Sequence, residues 1–338
     1  MSKEINLISI IIPVHDSEKT IGRTLASLIS SKDYIKEIII VNDRCEDNTL
    51  QQIEPYKSFF DTIKIIDNTG NPGPGPARQC GLDIAEGKYV TFIDSDDCLT
   101  PSSLKYVYEY LKENPTILCT QTIYYEFGSF EKKNIRCDDE SCGGNFYLKH
   151  YLDIHKIRFH DDLYMSEDEY FNKKMFMFAY TIDLMKPVVV HFEYPVYEVH
   201  HDDGNTSLAL GNWKDYACKY HLLMFEYLVN DLYGYPKAQD ELKEIYIKGF
   251  IFAYFMMRGI MQDDKKIKEK EFDEQFIRAM DYFELKFMTT GEDMVDYYRD
   301  NWETINGIQI GVNSSIGFKV KYKVTLNDFE DYVNTLRE

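Results

Sequence analysis

Short apolar runs alternate with amphipathic stretches through roughly the first hundred residues, and this alternation constrains the fold more than any other feature. Runs at 8–14, 35–41, 63–66 and 89–93 suit buried strands, and the stretches 19–30, 49–58 and 76–86 lie between them. Strand, helix, strand, helix is the pattern of a doubly wound, Rossmann-like, mostly parallel α/β sheet flanked by helices. In such sheets ligands bind beyond the carboxyl ends of the strands. Three runs are followed at once by the clusters Val14-His15-Asp16, Asn42-Asp43 and Asp94-Ser95-Asp96-Asp97, so three strand ends turn polar groups toward one crevice.

Another strand-like run occupies 117–125, followed by a charged segment at 131–141 that reads as a loop, and then by mixed periodicity over 146–159. Beyond Gly211 the pattern changes to long helical periods rich in Tyr, Phe and Met, at 213–233, 239–261 and 269–287, with a last helix at 327–336. Residues 308–325 alternate with β-branched side chains around Gly311 and Gly317 and predict a hairpin. The expected organisation is therefore an α/β domain over 1–210, its donor half about 1–100 and its acceptor half about 101–210, and a mainly helical accessory region over 211–338.

Lys and Arg number 38 against 57 Asp and Glu, a formal net charge of -19, and this field opposes non-specific binding to nucleic-acid backbones. The longest apolar stretches fall well short of the roughly 20 residues of a membrane-spanning helix. The N-terminal Met1-Ser2-Lys3-Glu4 runs straight into an apolar segment containing Pro13, without a basic leader or small-residue cleavage site, and reads as the approach to a first strand. Seven scattered cysteines form no disulfide framework, so a cytoplasmic protein with reduced thiols is expected.

A short acidic turn after a buried strand presents hard oxygen ligands to a divalent cation and its diphosphate. The alternative for Asp94, Asp96 and Asp97 is capping of the next helix, but Thr100 can cap that helix alone, which leaves three mutually repelling carboxylates to explain. The aromatic stripe Tyr246, Phe250, Phe252, Tyr254 and Phe255 has helical spacing and reads as core rather than as a sugar-stacking surface.

The segments Ile11-Ile12-Pro13-Val14, Ile39-Ile40-Val41-Asn42-Asp43, Ala77-Arg78-Gln79-Cys80-Gly81, Gly87 through Asp97, and Glu167-Asp168 occur in the order seen in family 2 glycosyltransferases. Roughly the first two hundred residues resemble an inverting enzyme of the GT-A fold. The resemblance implies a nucleotide-diphosphate sugar donor, a UDP-sugar foremost, carried with Mn²⁺ or Mg²⁺ to a hydroxyl acceptor, a glycan before a protein or a modified nucleotide or DNA base. It implies a donor site of Pro13, Val14, His15, Asp43, Arg78, Asp94, Ser95 and Asp96, with Asp43 accepting the uracil imide N–H and Arg78 facing diphosphate or base. Asp96 and Asp94 become the metal ligands, and His200 or His201 a candidate to complete the metal shell or touch phosphate. Asp168 becomes the base and Glu167 its orienting neighbour.

Departures from the family pattern are visible. Asn42-Asp43-Arg44-Cys45 stands where Asp-Asp-Gly-Ser is usual, Gln79 where Asn is usual, and Glu198 or Val199 where an arginine is expected. Each residue also has a structural alternative: a loop carboxylate for Asp43, an ion pair with the acidic turn for Arg78, helix-terminal acids for Glu167 and Asp168, and exposed structural histidines at 200 and 201. A nucleotidyltransferase would need a glycine-rich, basic signature after the first strand, and Pro13-Val14-His15-Asp16-Ser17 lacks one. A processive synthase would bring membrane helices and Gln-x-x-Arg-Trp. An inactive sugar-nucleotide-binding module would have no use for Asp168 beside Asp43, Arg78, Asp94 and Asp96.

Overall fold

The computed structural model describes residues 7–127, 134–137, 141–183, 189–200, 213–263, 270, 272–289, 291–301 and 325–337. The chain divides into two compact units, Met1–Ser207 and Leu208–Glu338.

In the first unit the donor half folds as β1 (Ile8–Val14), α1 (Ile21–Leu28), β2 (Ile35–Asn42), α2 (Thr49–Ile53), β3 (Ile63–Asp67), α3 (Pro74–Ile84) and β4 (Tyr89–Phe92). The strands lie in the order β3-β2-β1-β4, all parallel. Ile8, Ile10, Ile11 and Ile12 are fully buried, as are Ile38, Ile39, Ile40 and Val41, because helices cover both faces of a parallel sheet and its strands become continuous apolar runs. Gly81 on α3 lets that helix rest on the sheet, since a Cβ there would lie 2.5 Å from Ile11 Cγ2.

The acceptor half adds β5 (Cys98–Leu99), α4 (Ser103–Glu113), β6 (Cys119–Phe127), β7 (Asn134–Cys137), β8 (Phe146–Leu148), α5 (Lys149–Ile154), α6 (Glu167–Phe176) and β9 (Val189–His200). The sheet continues β4-β8-β6-β9-β5, turning antiparallel at β8, with β7 paired to β6. Two expectations are corrected here. The segment read as a loop contains β7, whose charged neighbours hid a strand at the sheet margin. Thr100 is not a side-chain cap: its hydroxyl donates to the Pro195 carbonyl, and α4 begins at Ser103 behind Ser102, which has a left-handed backbone and makes no cap hydrogen bond.

The second unit contains α7 (Trp213–Leu232), α8 (Gln239–Asp263), α9 (Asp273–Phe287), α10 (Gly291–Asp300) and α11 (Leu326–Arg337). Helices α7 and α8 approach closely at Gly249, where a Cβ would collide with the Phe225 ring. Tyr246, Phe250, Tyr254 and Phe255 are core residues, and Phe252 is half-buried. The expected hairpin at 308–325 lies, but for Thr325, outside the described residues, as does His201. Among the described residues no helix is long and apolar enough to cross a membrane.

Candidate active site

The site begins where β1 and β4 part. Their pairing ends at Ile11 and Phe92, while β1 stays paired with β2 as far as Val14. The Ile11 carbonyl accepts from Ile93 N–H and the Val14 carbonyl from Asp43 N–H, so alternate residues of β1 face alternate neighbours. Pro13 therefore points its missing N–H toward the side β4 has already left, which is why an interior strand tolerates proline here. With β2 on one side of β1 and β4 on the other, this divergence is the switch point of the sheet.

The turn Asp94-Ser95-Asp96-Asp97 fills one wall of that opening and is gripped by the first helix. Thr24 donates its hydroxyl to the Ser95 carbonyl, Arg23 Nη2 lies 2.6 Å from the Asp96 carbonyl, and the Ser95 and Ser17 hydroxyls are 2.6 Å apart. Asp97 faces inward, accepting His200 N–H at 2.9 Å. Burial, aided by the charges of Asp94 and Asp96, raises its carboxyl well above the usual range. Tyr197 on β9 connects the two ends of the turn: its hydroxyl accepts Asp94 N–H at 3.0 Å and hydrogen-bonds the Asp97 carboxyl. The Tyr197 ring has room only because Gly143 and Gly144 lie against it, and Gly144 adopts φ +70°.

Asp43, at the end of β2, is buried. Its Oδ1 accepts from Asn68 Nδ2 at 2.7 Å and Arg44 Nη1 at 2.6 Å, and its Oδ2 accepts Gly73 N–H at 2.7 Å. His15 Nδ1 is 2.7 Å from the Asp43 carbonyl, joining the tips of β1 and β2. Arg44 occupies the left-handed region at φ +61°, which explains why a glycine suits that position in the family pattern.

Arg78 is the centre of the site. It projects from α3, is 3% exposed, and reaches three carboxylates: Nη1 to Glu167 and to Asp168, each at 2.8 Å, and Nη2 to Asp94 at 2.7 Å. Gly75 allows this approach, since a Cβ on it would touch Glu167 Cγ at 3.0 Å. Burial opposes the charge of Arg78, but Asp168, Asp94 and Glu167 outweigh it and hold the guanidinium firmly protonated. Burial and the Asp168 charge push Glu167 up to about 7 in spite of Arg78. The second oxygen of Asp168 accepts Cys142 N–H at 3.2 Å.

The expected residues thus gather on the first unit, with Arg78 held among carboxylates, the alternative its sequence context had left open. Asn68 was not singled out; an asparagine after a strand gives no signal until tertiary contacts bring it to Asp43. His200 contributes its backbone N–H, and its Nε2 lies 3.6 Å from Glu198 Oε2.

The residue types suit a hard divalent cation, since Asp94 and Asp96 supply carboxylate oxygens on one short turn. They do not form a closed cage on their own. Among the described residues, the three potential ligands that lie within 4.8 Å of one another are Asp16, Cys45 and Asp47. That group is committed to the loop: Asp16 accepts the N–H of Glu46 and of Asp47, and Asp47 accepts those of Glu18 and Thr49.

A parallel half opening at its switch point onto an acidic turn, joined through an antiparallel half to a carboxylate pair, defines a GT-A domain. Residues 9–176 match the model of Glycosyl transferase family 2, and by this domain the chain is a member of that family. It is 39% identical over 112 residues to a poly(ribitol-phosphate) beta-glucosyltransferase of Bacillus spizizenii, covering 32% of this chain and 17% of that protein. It is 25% identical over 291 residues to the poly(ribitol-phosphate) beta-N-acetylglucosaminyltransferase TarS of Staphylococcus aureus, covering 81% of this chain and 48% of TarS. The chain therefore spans less than half the length of these two relatives. In three dimensions it resembles S. aureus TarS 1-349 in complex with UDP-GlcNAc, with a TM-score of 0.66 at 18% identity over 94% of each chain, a likeness of fold.

Proposed function

We propose that this chain transfers a sugar from a UDP-sugar to a hydroxyl of a glycan, with inversion at the anomeric carbon. The observation that carries the reading is the Arg78 cluster, in which one guanidinium bonds both the acidic turn at Asp94 and the pair Glu167-Asp168. A donor-side group and a candidate base thereby meet at one place, as a single in-line displacement requires. Asp43 reads the base, and the acidic turn lies at the diphosphate. Asp168, 21% exposed at its side chain and fixed by Arg78 and Cys142 N–H, takes the proton from the acceptor hydroxyl as its oxygen attacks the anomeric carbon and the nucleoside diphosphate leaves. Glu167 orients that base through the shared guanidinium.

Asp96 and Asp94, with His200 the further candidate, would hold Mn²⁺ or Mg²⁺, which when bound neutralises charge on the diphosphate. The poly(ribitol-phosphate) activities of these relatives make an anionic polyol-phosphate polymer the first acceptor to try. The free thiols of Cys45, Cys80, Cys98, Cys119, Cys142 and Cys218 suit a reducing, cytoplasmic setting.

The test is release of UDP from UDP-GlcNAc and UDP-glucose in the presence of poly(ribitol phosphate), with and without Mn²⁺, by the wild type and Asp168→Asn. Transfer should fall by about a thousandfold or more in the variant, in the range that loss of a general base costs, while UDP binding by calorimetry stays unchanged. Full transfer by Asp168→Asn sinks the base assignment.

A further inference from the structure

We propose that Arg44 is a displaceable cover on the base-reading carboxylate, so that a uridine nucleotide binds by taking the place of Arg44 on Asp43; this rests on the reading of Asp43 given above. The Asp43 side chain is 9% exposed and already receives three N–H donors. Two of them, from Asn68 and Gly73, belong to the loop after β3 and hold the carboxylate in place. The third, Arg44, has a side chain 48% exposed and is the donor that can swing away.

Its guanidinium bridges the end of β2 and the loop after β3, with Nη1 on Asp43 Oδ1 at 2.6 Å and Nη2 on the Gly70 carbonyl at 2.8 Å. A guanidinium N–H and an imide N–H are the same kind of donor, and of the three donors on Asp43 the half-exposed arginine lies on the side open to solvent, so the base takes the place of that bond rather than of the two from the loop. The backbone adds to the case. Arg44 is held at φ +61°, a conformation glycine adopts without strain, and glycine there would leave Asp43 uncovered.

Calorimetric titration of UDP into the full chain tests this with wild type, Arg44→Gly, Asp43→Asn and the double variant, each first checked for an intact melting transition. The half-exposed pair predicts a Kd about two- to fivefold lower for Arg44→Gly than for wild type. The gain should vanish in the Asp43→Asn background and shrink as salt is raised. An equal Kd in wild type and Arg44→Gly overturns the cover and leaves the reading of Asp43 standing. A higher Kd also overturns it, making Arg44 a contact for the nucleotide. If UDP binds neither protein, the reading of Asp43 falls and the cover falls with it.

Discussion

Replacing Arg78 by Met keeps most of the apolar stem and removes the charge from a cluster of three carboxylates. Asp94 is 42% exposed at its side chain, so water takes over much of what the arginine supplied there. Glu167 and Asp168 are 11% and 21% exposed and have no such recourse. Breaking a buried pair by removing one partner costs about 3–5 kcal/mol, and counting only the two α6 carboxylates places Arg78→Met near the lower end, about 3 kcal/mol. That is a large share of a stability of about 5–15 kcal/mol. Arg78→Lys should lose less, about 1–2 kcal/mol, because an ammonium keeps the charge but lacks the planar fork that spans Asp94 and the α6 pair. The pH dependence gives the sharper test. Without the arginine, burial holds Glu167, already pushed up to about 7, still further above its unfolded value. Such a group lends stability at pH 5 that is lost as the pH rises, so the defect of Arg78→Met should be small near pH 5 and full near pH 8. Urea unfolding of wild type and both variants across that range measures it. A loss under about 1 kcal/mol at pH 8, against the 3–5 kcal/mol typical of broken buried pairs, or a defect that grows as the pH falls, refutes the reasoning.

Two further changes probe the scaffold. Glu37 on β2 is 2% exposed, accepts from Ser9 and Glu86 N–H, and pairs with Lys64 at 2.6 Å; burial works against its charge, but these partners lower its carboxyl below 4.5 overall. A lowered value means stability present above the unfolded value and lost as the pH falls through the folded one, so Glu37→Gln should cost about 1–3 kcal/mol at pH 7 and progressively less below pH 4.5. Gly81→Ala should cost about 1–3 kcal/mol by pushing α3 off Ile11, read as a lowered melting temperature; an unchanged transition would show that α3 shifts freely.

Much of the first unit was legible because its physics is local. An apolar run of seven or eight residues covered on both faces has few options but a parallel strand, and Val14, Asn42 and Phe92 end their strands where the polar clusters begin. β7 was hidden because four residues at the sheet margin, among charged neighbours, carry too little pattern to show. α10 went unnoticed between stronger helical periods. The cap at Thr100 misled because a hydroxyl before a helix is a local signal, and a nearby β9 carbonyl at Pro195 outcompeted it.

By itself the sequence determined the α/β plan, the crevice at the strand ends and the residue types gathered there, because strand and helix periods and the short spacing within Asp94 to Asp97 are properties of neighbouring residues. Only the tertiary structure decided what those residues do to one another. Arg78 and Glu167 are 89 positions apart, and Asp94 and Tyr197 are 103 apart. A hydrogen bond across such a separation leaves no periodicity in the chain, because it forms only after the sheet has brought β4, α6 and β9 to one edge.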